Sequence, residues 1–488
     1  MDDINELQNE CYEEIIKVIE DYKDNNDMLL KIRTSVFNIN NIISNANLTA
    51  QKKEERTNKL IQNQNIFKDN FMNHNKFFYL NKSNIDTFFI YDGKLFNTID
   101  EDNVHKIIMD NLNDDKNITP WKFKTKISIM KDIKDKLLFN AIPESETMQY
   151  VINNLYPSVF NSKDEVKYFL IVIGDYVLKK KTNAIYFISN TYKSLLNDIS
   201  DMLIKQYQIY GLNDVFKSKY QEHNFDAMRL IKIKGESNYI NKFFMENIIT
   251  ISCVCTYYSN KFGSSELFLK KRRGLQKYVN FFKNKTKNDI IKIFYSKYIS
   301  SSDSSNISLK NMIFLWKMFL HEENIPCIIY LNTLKQNICS CLNIQYNDGF
   351  VNVKSNVLDE IQKFLQFWND EIYLQEGEYN YYELQEVYNI FLDICDDDIK
   401  WNVHIISKIV NYYLPNSTIK GNVVYNVVLK KWDKRHQVVS FIEKYIEEND
   451  DFIIYDSYES YVKDCHEKNI YIAHKKYYDN ICLSYFNL

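Results

Sequence analysis

Proline and glycine are both scarce in this sequence. Five prolines and nine glycines are spread over 488 residues. Turn-rich β-sandwiches and phosphate-cradling loops depend on these two residues, so their scarcity disfavours both kinds of structure. Long helices need few of either residue. The composition therefore predicts a mainly α-helical protein (class α+β) whose β-structure is confined to small hairpins.

Arginine is rare too, and neither sign of charge is in large excess. Only six of the 61 basic residues are arginines, and the formal net charge is −3. Bidentate guanidinium clamps on phosphate or carboxylate groups must therefore be few, and lysine supplies most of the positive charge. The chain as a whole is neither a polycation nor an acidic tail.

Segments that would direct the chain into a membrane are also missing. No apolar run reaches the roughly 18–20 residues that span a bilayer. The first residues are acidic, which predicts no secretory leader. Nine scattered cysteines fit a reducing cytosol better than a disulfide framework. We therefore expect a cytoplasmic protein without a membrane partner.

Common catalytic signatures are absent as well. The chain has no Gly-x-Gly-x-x-Gly, Gly-x-Ser-x-Gly or His-Glu-x-x-His string, the patterns that mark nucleotide, hydrolase and zinc-protease sites. His321-Glu322-Glu323 lacks the zinc-protease context, because Pro326 follows where the helix would have to continue. These gaps favour a non-catalytic protein without a cofactor.

Two groups of residues could in principle hold a metal. Cys253 and Cys255 with Cys339 and Cys341 would supply four thiolates to zinc, but one intervening residue is short for a zinc knuckle. Buried core cysteines are the more economical interpretation. The run 396–398 could gather Mg²⁺, although adjacent acids at a helix start more often cap it. We therefore predict no metal.

Residues 1–66 are predicted to form an N-terminal helical arm. Apolar residues recur there at spacings of three and four, which gives each of two helices one apolar stripe. The stripes are Ile4, Leu7, Cys11, Ile15, Val18 and Tyr22, then Leu29, Ile32, Val36, Ile39 and Ile43. A helical hairpin or an oligomerising arm would both fit, but the repeat is too brief for a long coiled coil.

A β-hairpin is predicted at the start of a second lobe, residues 67–299. The runs 87–91 and 94–99 favour strands and flank Asp92-Gly93, a pair that tolerates the positive φ of a tight hairpin turn. Asp100 then stands where it can cap a following helix.

The segment 261–292 is strongly basic, with ten cations against two acids, a balance of +8. Clustered cations neutralise backbone phosphates, and the five aromatic residues among them could stack on unpaired bases. The alternative is a solvated lysine-rich surface with its rings in the core. The predicted nucleic-acid-binding residues are Lys270, Lys271, Arg272, Arg273, Lys277, Lys283, Lys285 and Lys287, together with Lys179, Lys180 and Lys181.

A C-terminal helical lobe, residues 307–488, is predicted after a serine-rich linker at 300–306. Residues 355–400 carry twelve acids against two lysines, a balance of −10. This acidic face could recruit a basic protein partner or neutralise the basic segment internally. Helical patterns at 357–369, 382–395 and 401–414 precede a strand-rich run at 419–429, which is the order of a winged-helix module.

Several strings together resemble an uncharacterised protein family of nucleocytoplasmic large DNA viruses of the giant-virus type. The strings are 142–147, 167–170 with Gly174-Asp175, 314–317, 364–368 and 432–434. The predicted hairpin is also similar to the segment that precedes the ATPase of viral primase–helicases, but the chain lacks their phosphate-binding Gly-x-x-x-x-Gly-Lys. The resemblance implies a viral protein in the host cytoplasm or viral factory, and it brings no catalytic residues.

The combined prediction is a non-catalytic viral factor. It would bind RNA or DNA, or a nucleoprotein complex, in viral replication, transcription or translation, with protein partners at the acidic face or the arm. One alternative is a helical protein–protein scaffold, for example in a translation-initiation assembly. Another is a metal-dependent nucleic-acid enzyme with an unfamiliar site around 393–398.

Overall fold

A computed structural model describes residues 2–82, 85–234, 237–395, 399–449 and 452–486. The chain folds into two compact units. The first unit contains Met1–Ser218 and Arg229–Phe281, and the second contains Lys219–Met228 and Phe282–Leu488. The boundary after Phe281 lies inside the basic segment. Both units are mostly helical with sheets of two or three strands, so the predicted fold class is confirmed.

The first unit begins with a helical hairpin, α1 (Asp2–Asp21) and α2 (Asn26–His74). Asn25 caps α2 by accepting a hydrogen bond from the Met28 N–H at 3.2 Å. No described residue before Gln64 is buried. The last turns of α2 enter the body of the unit, where Gln64 donates to Thr125 Oγ1 at 3.1 Å and Phe71 joins the core. Helix α2 therefore continues past residue 66, the predicted end of the N-terminal arm.

A three-stranded antiparallel sheet follows, formed by β1 (Lys76–Lys82), β2 (Ile85–Tyr91) and β3 (Phe96–Ile99). The predicted hairpin is confirmed, with Tyr91 opposite Phe96. Its loop is longer than a two-residue turn, because the Asp92 carboxylate accepts the N–H groups of Lys94 and Leu95 at 2.8 and 2.7 Å. Helices α3 (Glu101–Asp114) and α4 (Lys122–Asp135) pack on this sheet.

The larger core of the first unit surrounds one buried helix, α6 (Lys163–Val177), which lies against α9 (Ser237–Phe262). Gly174 makes the close approach possible, since a Cβ there would lie 2.1 Å from the Cys255 carbonyl oxygen. The elements around this pair are α5 (Ser145–Leu155), β4 (Ile185–Phe187), α7 (Lys193–Tyr207), α8 (Leu212–Val215), β5 (Phe216–Lys217), β6 (Met228–Leu230), α10 (Ser265–Lys270) and α11 (Arg273–Val279).

The second unit opens with α12 (Lys287–Tyr298), β7 (Ser300–Ile307), α13 (Leu309–Glu323), α14 (Leu331–Leu342) and β8 (Phe350–Lys354). The predicted linker at 300–306 is wrong: these residues form β7, which pairs antiparallel with β8. Serine-rich composition predicts flexibility from local preference alone, whereas the backbone hydrogen bonds to β8 come from residues some fifty positions away.

A winged-helix topology occupies the middle of the second unit. Its elements are α15 (Asn356–Glu371), β9 (Ile372–Leu374), β10 (Tyr381–Glu383), α16 (Leu384–Cys395), α17 (Val403–Tyr413), β11 (Thr418–Lys420), β12 (Val423–Tyr425) and β13 (Val427–Leu429). The sheet has the order β10-β12-β11, with β13 continuing β12 and pairing with β9. Three helices and the three antiparallel strands of the sheet β10-β12-β11 follow one another in the order that the helix and strand patterns predict.

Three helices complete the second unit: α18 (Lys434–Glu448), α19 (Ile454–Glu467) and α20 (Lys475–Tyr485). They pack on one another through buried tyrosines, among them Tyr461 and Tyr478. Within the described ranges, no helix combines the length and the apolar character that crossing a bilayer requires.

Candidate nucleic-acid interface

The helices α10 and α11 carry the first half of the predicted binding residues and run back along α6. The Ser265 N–H donates to Asp175 Oδ2 at 2.7 Å, near the end of α6. Arg272 Nε lies 3.1 Å from Asp164 Oδ2, at the beginning of α6. At about 1.5 Å per residue, these two anchors are about 16 Å apart along α6.

Four of the predicted residues are exposed: Lys270 at the end of α10, Lys271 in the turn that follows it, and Arg273 and Lys277 on α11. None of them has an acidic partner among the described residues. Local amphipathicity explains their position, because α11 buries Leu275 and Val279 four residues apart and thereby turns Arg273 and Lys277 outward. Arg272 is the exception in this run, since its charge is paired with Asp164.

Three further cations of the first unit were missed by the sequence reasoning. Lys232 Nζ lies 5.2 Å from the centroid of the Tyr278 ring, next to Lys277. Lys163 is exposed and is next in sequence to Asp164, which pairs with Arg272. Lys234 is also exposed, and its backbone N–H donates to the Val159 carbonyl oxygen. All three lie outside the basic runs that the sequence shows. We call Lys163, Lys232, Lys234, Lys270, Lys271, Arg273 and Lys277 the basic face.

The aromatic residues of the basic segment point inward. Phe268 is 1% exposed, and Phe262 and Tyr278 pack against the core of the first unit. Burial also raises the pKa of the Tyr278 phenol. The expected stacking surface is therefore not present at these rings, since the apolar side chains that alternate with the lysines form the inner side of the same helices. The basic face offers cations alone.

Lys180 is held inside the first unit rather than presented to a ligand. Its ammonium donates to the carbonyl oxygens of Ser259 and Gly263, both at 2.9 Å, at the end of α9. A lysine in this position satisfies carbonyls that the helix leaves unpaired. Its neighbours Lys179 and Lys181 are exposed at the end of α6. The predicted Lys179–Lys181 cluster therefore contributes two available charges, not three.

The remaining predicted residues belong to the second unit. Lys287 Nζ lies 2.9 Å from Glu222 Oε2, which raises the pKa of the lysine and lowers that of the carboxyl. Lys283 is exposed and Lys285 is half-buried. The run 261–292 is continuous in sequence but divided between two units, so it is not one continuous helical stripe.

Several carboxylates of the predicted acidic face at 355–400 already have partners within the second unit. Glu386 is buried and paired with Lys434, and Glu360 accepts a hydrogen bond from the Trp401 indole at 3.2 Å. Glu383 lies 3.2 Å from His474. Asp359, Asp370, Glu376, Glu378 and Asp393 are exposed. The triplet 396–398, which carried the magnesium alternative, lies outside the described residues.

The cysteine pairs occupy different environments. Cys253 and Cys255 are fully buried between α9 and α6 in the first unit, and this burial raises the pKa of both thiols. Cys339 and Cys341 lie on α14 in the second unit. Over the part of the chain that the structure describes, no three His, Cys, Asp or Glu side chains form a group suited to a metal ion.

One face of the helix that would read DNA in a winged helix contacts α13. In a helix-turn-helix the second helix enters the major groove, and α17 holds that position after α16. Its His404, Lys408 and Tyr412 are spaced by four and share one face. That face meets α13: the two Nε2 atoms of His404 and His321 lie 3.0 Å apart, and the Tyr412 hydroxyl donates to the Lys310 carbonyl at 2.8 Å.

No protein-family model, curated protein or solved structure matches this chain. What the basic face can bind therefore follows from its own side chains and their surroundings.

Proposed function

We propose that this protein is a non-catalytic nucleic-acid-binding factor that contacts backbone phosphates through the basic face of its first unit. One observation carries the proposal: Lys270, Lys271, Arg273 and Lys277 are exposed on α10, α11 and the turn between them, without an acidic partner in the described part of the chain. Such unpaired cations can neutralise backbone phosphates, and this releases the counterions that are condensed on the nucleic acid.

The chemistry of the face indicates binding that is independent of base sequence. Six of its seven cations are lysines, which act as point charges rather than as bidentate readers of a base edge. The rings of Phe262, Phe268 and Tyr278 pack against the core of the first unit, and Lys232 lies over the Tyr278 ring. A duplex carries one phosphate charge per about 1.7 Å of axis, so clustered lysines can neutralise several phosphates without contacting a base.

The contacts of α17 with α13 support this choice of surface over the winged helix. Phe314 of α13 packs against the rings of Tyr412 and Tyr413, with both centroid distances at 5.0 Å. Only one lysine, Lys408, lies on α17. In this proposal the winged-helix module is a structural part of the second unit, and its acidic neighbours serve protein contacts.

The resemblance described above suggests where such binding would act. We place it in the gene expression of a large DNA virus, in the host cytoplasm. A protein–protein scaffold remains the second candidate, because the N-terminal arm exposes an unusual number of large apolar side chains.

A charge-reversal experiment tests the proposal. The variant K270E/K271E/R273E/K277E is compared with K444E/K463E/K468E/R435E, which changes the same number of exposed lysines and arginines in the second unit. Fluorescence anisotropy with a labelled RNA strand and a labelled DNA duplex of about 30 nucleotides, between about 50 and 200 mM salt, gives affinity and its salt dependence.

The wild type and the control variant should bind with a steep salt dependence. The variant of the basic face should lose binding, and single reversals should each lower the slope by roughly 0.9 on duplex DNA. Equal affinity of the two quadruple variants would exclude the basic face as the binding surface. A wild type that binds neither probe at low salt would leave the scaffold as the better assignment.

A further inference from the structure

The N-terminal hairpin leaves its apolar side chains in contact with water. Leu7 is 60% exposed on α1, and Ile43 is 61% exposed on α2. Both belong to the apolar stripes that face each other across the hairpin. An apolar stripe that contacts one partner helix and is still this exposed has much of its surface left in water.

An open groove runs between the two helices on this side. It has a volume of about 420 Å³ and is lined mainly by Ile15, Val18, Ile32, Val36 and Ile39. In an antiparallel hairpin, Leu7 and Ile43 continue the same face towards the free end. We call this surface the hairpin groove.

The hairpin cannot be stabilised by its own packing. No described residue between Asp3 and Asn63 is buried. Amphipathic helices gain most of their stability from burying their apolar face. Two helices that bury no residue between them obtain little of this stabilisation. A further layer of apolar side chains over the hairpin groove would supply it.

The charges of the two helices indicate what the further layer is. Helix α1 carries eight acids against Lys17, a balance of −7. Residues 26–59 of α2 carry six cations against three acids, a balance of +3, and two of these cations, Lys31 and Arg33, lie within the 20-residue length of α1 from the start of α2. A foreign basic helix would complement α1 alone. A second hairpin, related by a two-fold axis, places an acidic α1 on a basic α2 twice in one interface.

We infer that the hairpin groove is a homodimerisation surface, in which the arms of two copies of this chain form a four-helix bundle with α1 of each copy against α2 of the other. Four helices with apolar stripes at spacings of three and four can close one core. The occupant of the groove is therefore a second copy of the same arm.

Analytical ultracentrifugation of the full chain tests the inference. The wild type should sediment as a dimer, and V36E/I43E should sediment as a monomer at the same concentration. The matched control is L30E/F37E. Leu30 and Phe37 are 68% and 71% exposed and are also seven residues apart, but they lie roughly 100–120° around α2 from Val36. This control should remain a dimer.

A second variant separates dimerisation from folding of the hairpin. K31E/R33E changes no apolar residue and keeps good helix formers, but it places like charges against the partner's α1. It should raise the dimer dissociation constant by about tenfold at low salt, and added salt should reduce the effect. A monomeric wild type, or a dimer that L30E/F37E disrupts and V36E/I43E does not, would overturn the inference.

Discussion

Lys434 Nζ lies 2.6 Å from Glu386 Oε2 in the interior of the second unit. The other carboxylate oxygen accepts the His474 N–H, and Oε2 also accepts the Glu383 N–H, both at 2.9 Å. One buried carboxylate thus joins β10, α16, α18 and the start of α20. Four rings surround the ammonium: those of Tyr381, Tyr382, Trp432 and Tyr477. Desolvation at this site lowers the pKa of Lys434, although Glu386 opposes the shift.

Removing one member of this pair should strongly destabilise the second unit. E386L leaves a buried ammonium without its counter-charge and should lower the free energy of unfolding by about 3–5 kcal/mol. E386L/K434M, which removes both charges, should recover much of that loss. Urea titration followed by tryptophan fluorescence measures both, with E376L at an exposed acid as the control. Equal stability of E386L and the control would contradict a structural role for the pair.

The contact of α6 with α9 should be intolerant of one added methyl group. G174A would place its Cβ 2.1 Å from a backbone oxygen that cannot move independently of α9, so it should cost about 3 kcal/mol or more. G274A is the matched control, because no atom lies within 4 Å of the position of its Cβ. There the same change should be neutral or stabilise by up to about 1 kcal/mol. Thermal denaturation distinguishes the two, and similar melting temperatures would refute the close packing.

The contact of α13 with α17 should weaken in acid. Burial lowers the pKa of His321 and of His404, and Lys408 adds to the effect on both, opposed at His321 by Glu322. A histidine whose pKa is lower in the folded than in the unfolded state costs stability as the pH falls through its unfolded value of about 6.5. The urea midpoint should therefore be lower at about pH 5.5 than at about pH 7.5.

Replacing one imidazole should reduce this pH dependence. In H404Q the fall in the urea midpoint between the two pH values should be smaller than in the wild type, because one of the two titrating groups is gone. H436Q, at an exposed histidine of the same unit, is the control. An unchanged pH dependence in H404Q would show that the histidine pair does not titrate on unfolding.

Substitutions at two neighbouring lysines should show that the stability of the first unit and nucleic-acid binding depend on different residues. K180A removes the donor to the Ser259 and Gly263 carbonyls and should lower the stability of the first unit by about 1–2 kcal/mol. K181A, at an exposed position, should leave stability unchanged. Neither should abolish nucleic-acid binding while the basic face is intact. A K180A variant of wild-type stability would show that the two hydrogen bonds contribute little.

The sequence predicted correctly the features that depend on residues close together in the chain. The helices of the winged-helix module were located within two or three residues, since apolar periodicity and Pro415 mark them directly. The hairpin at Asp92-Gly93 was recognised from its turn residues. The strand β7 was not, because its serines carry no strand signal and only pairing with β8 orders them.

At the candidate site, the sequence identified the clustered cations but not their surroundings. Lys163 and Lys232 were missed because each adjoins the face only after α6 and α11 come together. The apolar stripes of the arm were visible in the sequence, whereas their continued exposure was not. Whether a stripe is covered depends on how many other elements pack against it.

The amino-acid order alone determined the helical class, the position of the hairpin and the concentration of positive charge, because each depends on residues within a few positions of one another. The tertiary structure determined which of those charged side chains and helix faces remain exposed to solvent. Lys180 and Gly263 are 83 residues apart, and so are His321 of α13 and His404 of α17. Contacts of that separation leave no local pattern in the sequence, so only the tertiary structure shows that Lys270, Arg273 and Lys277 stay exposed while one face of α17 contacts α13.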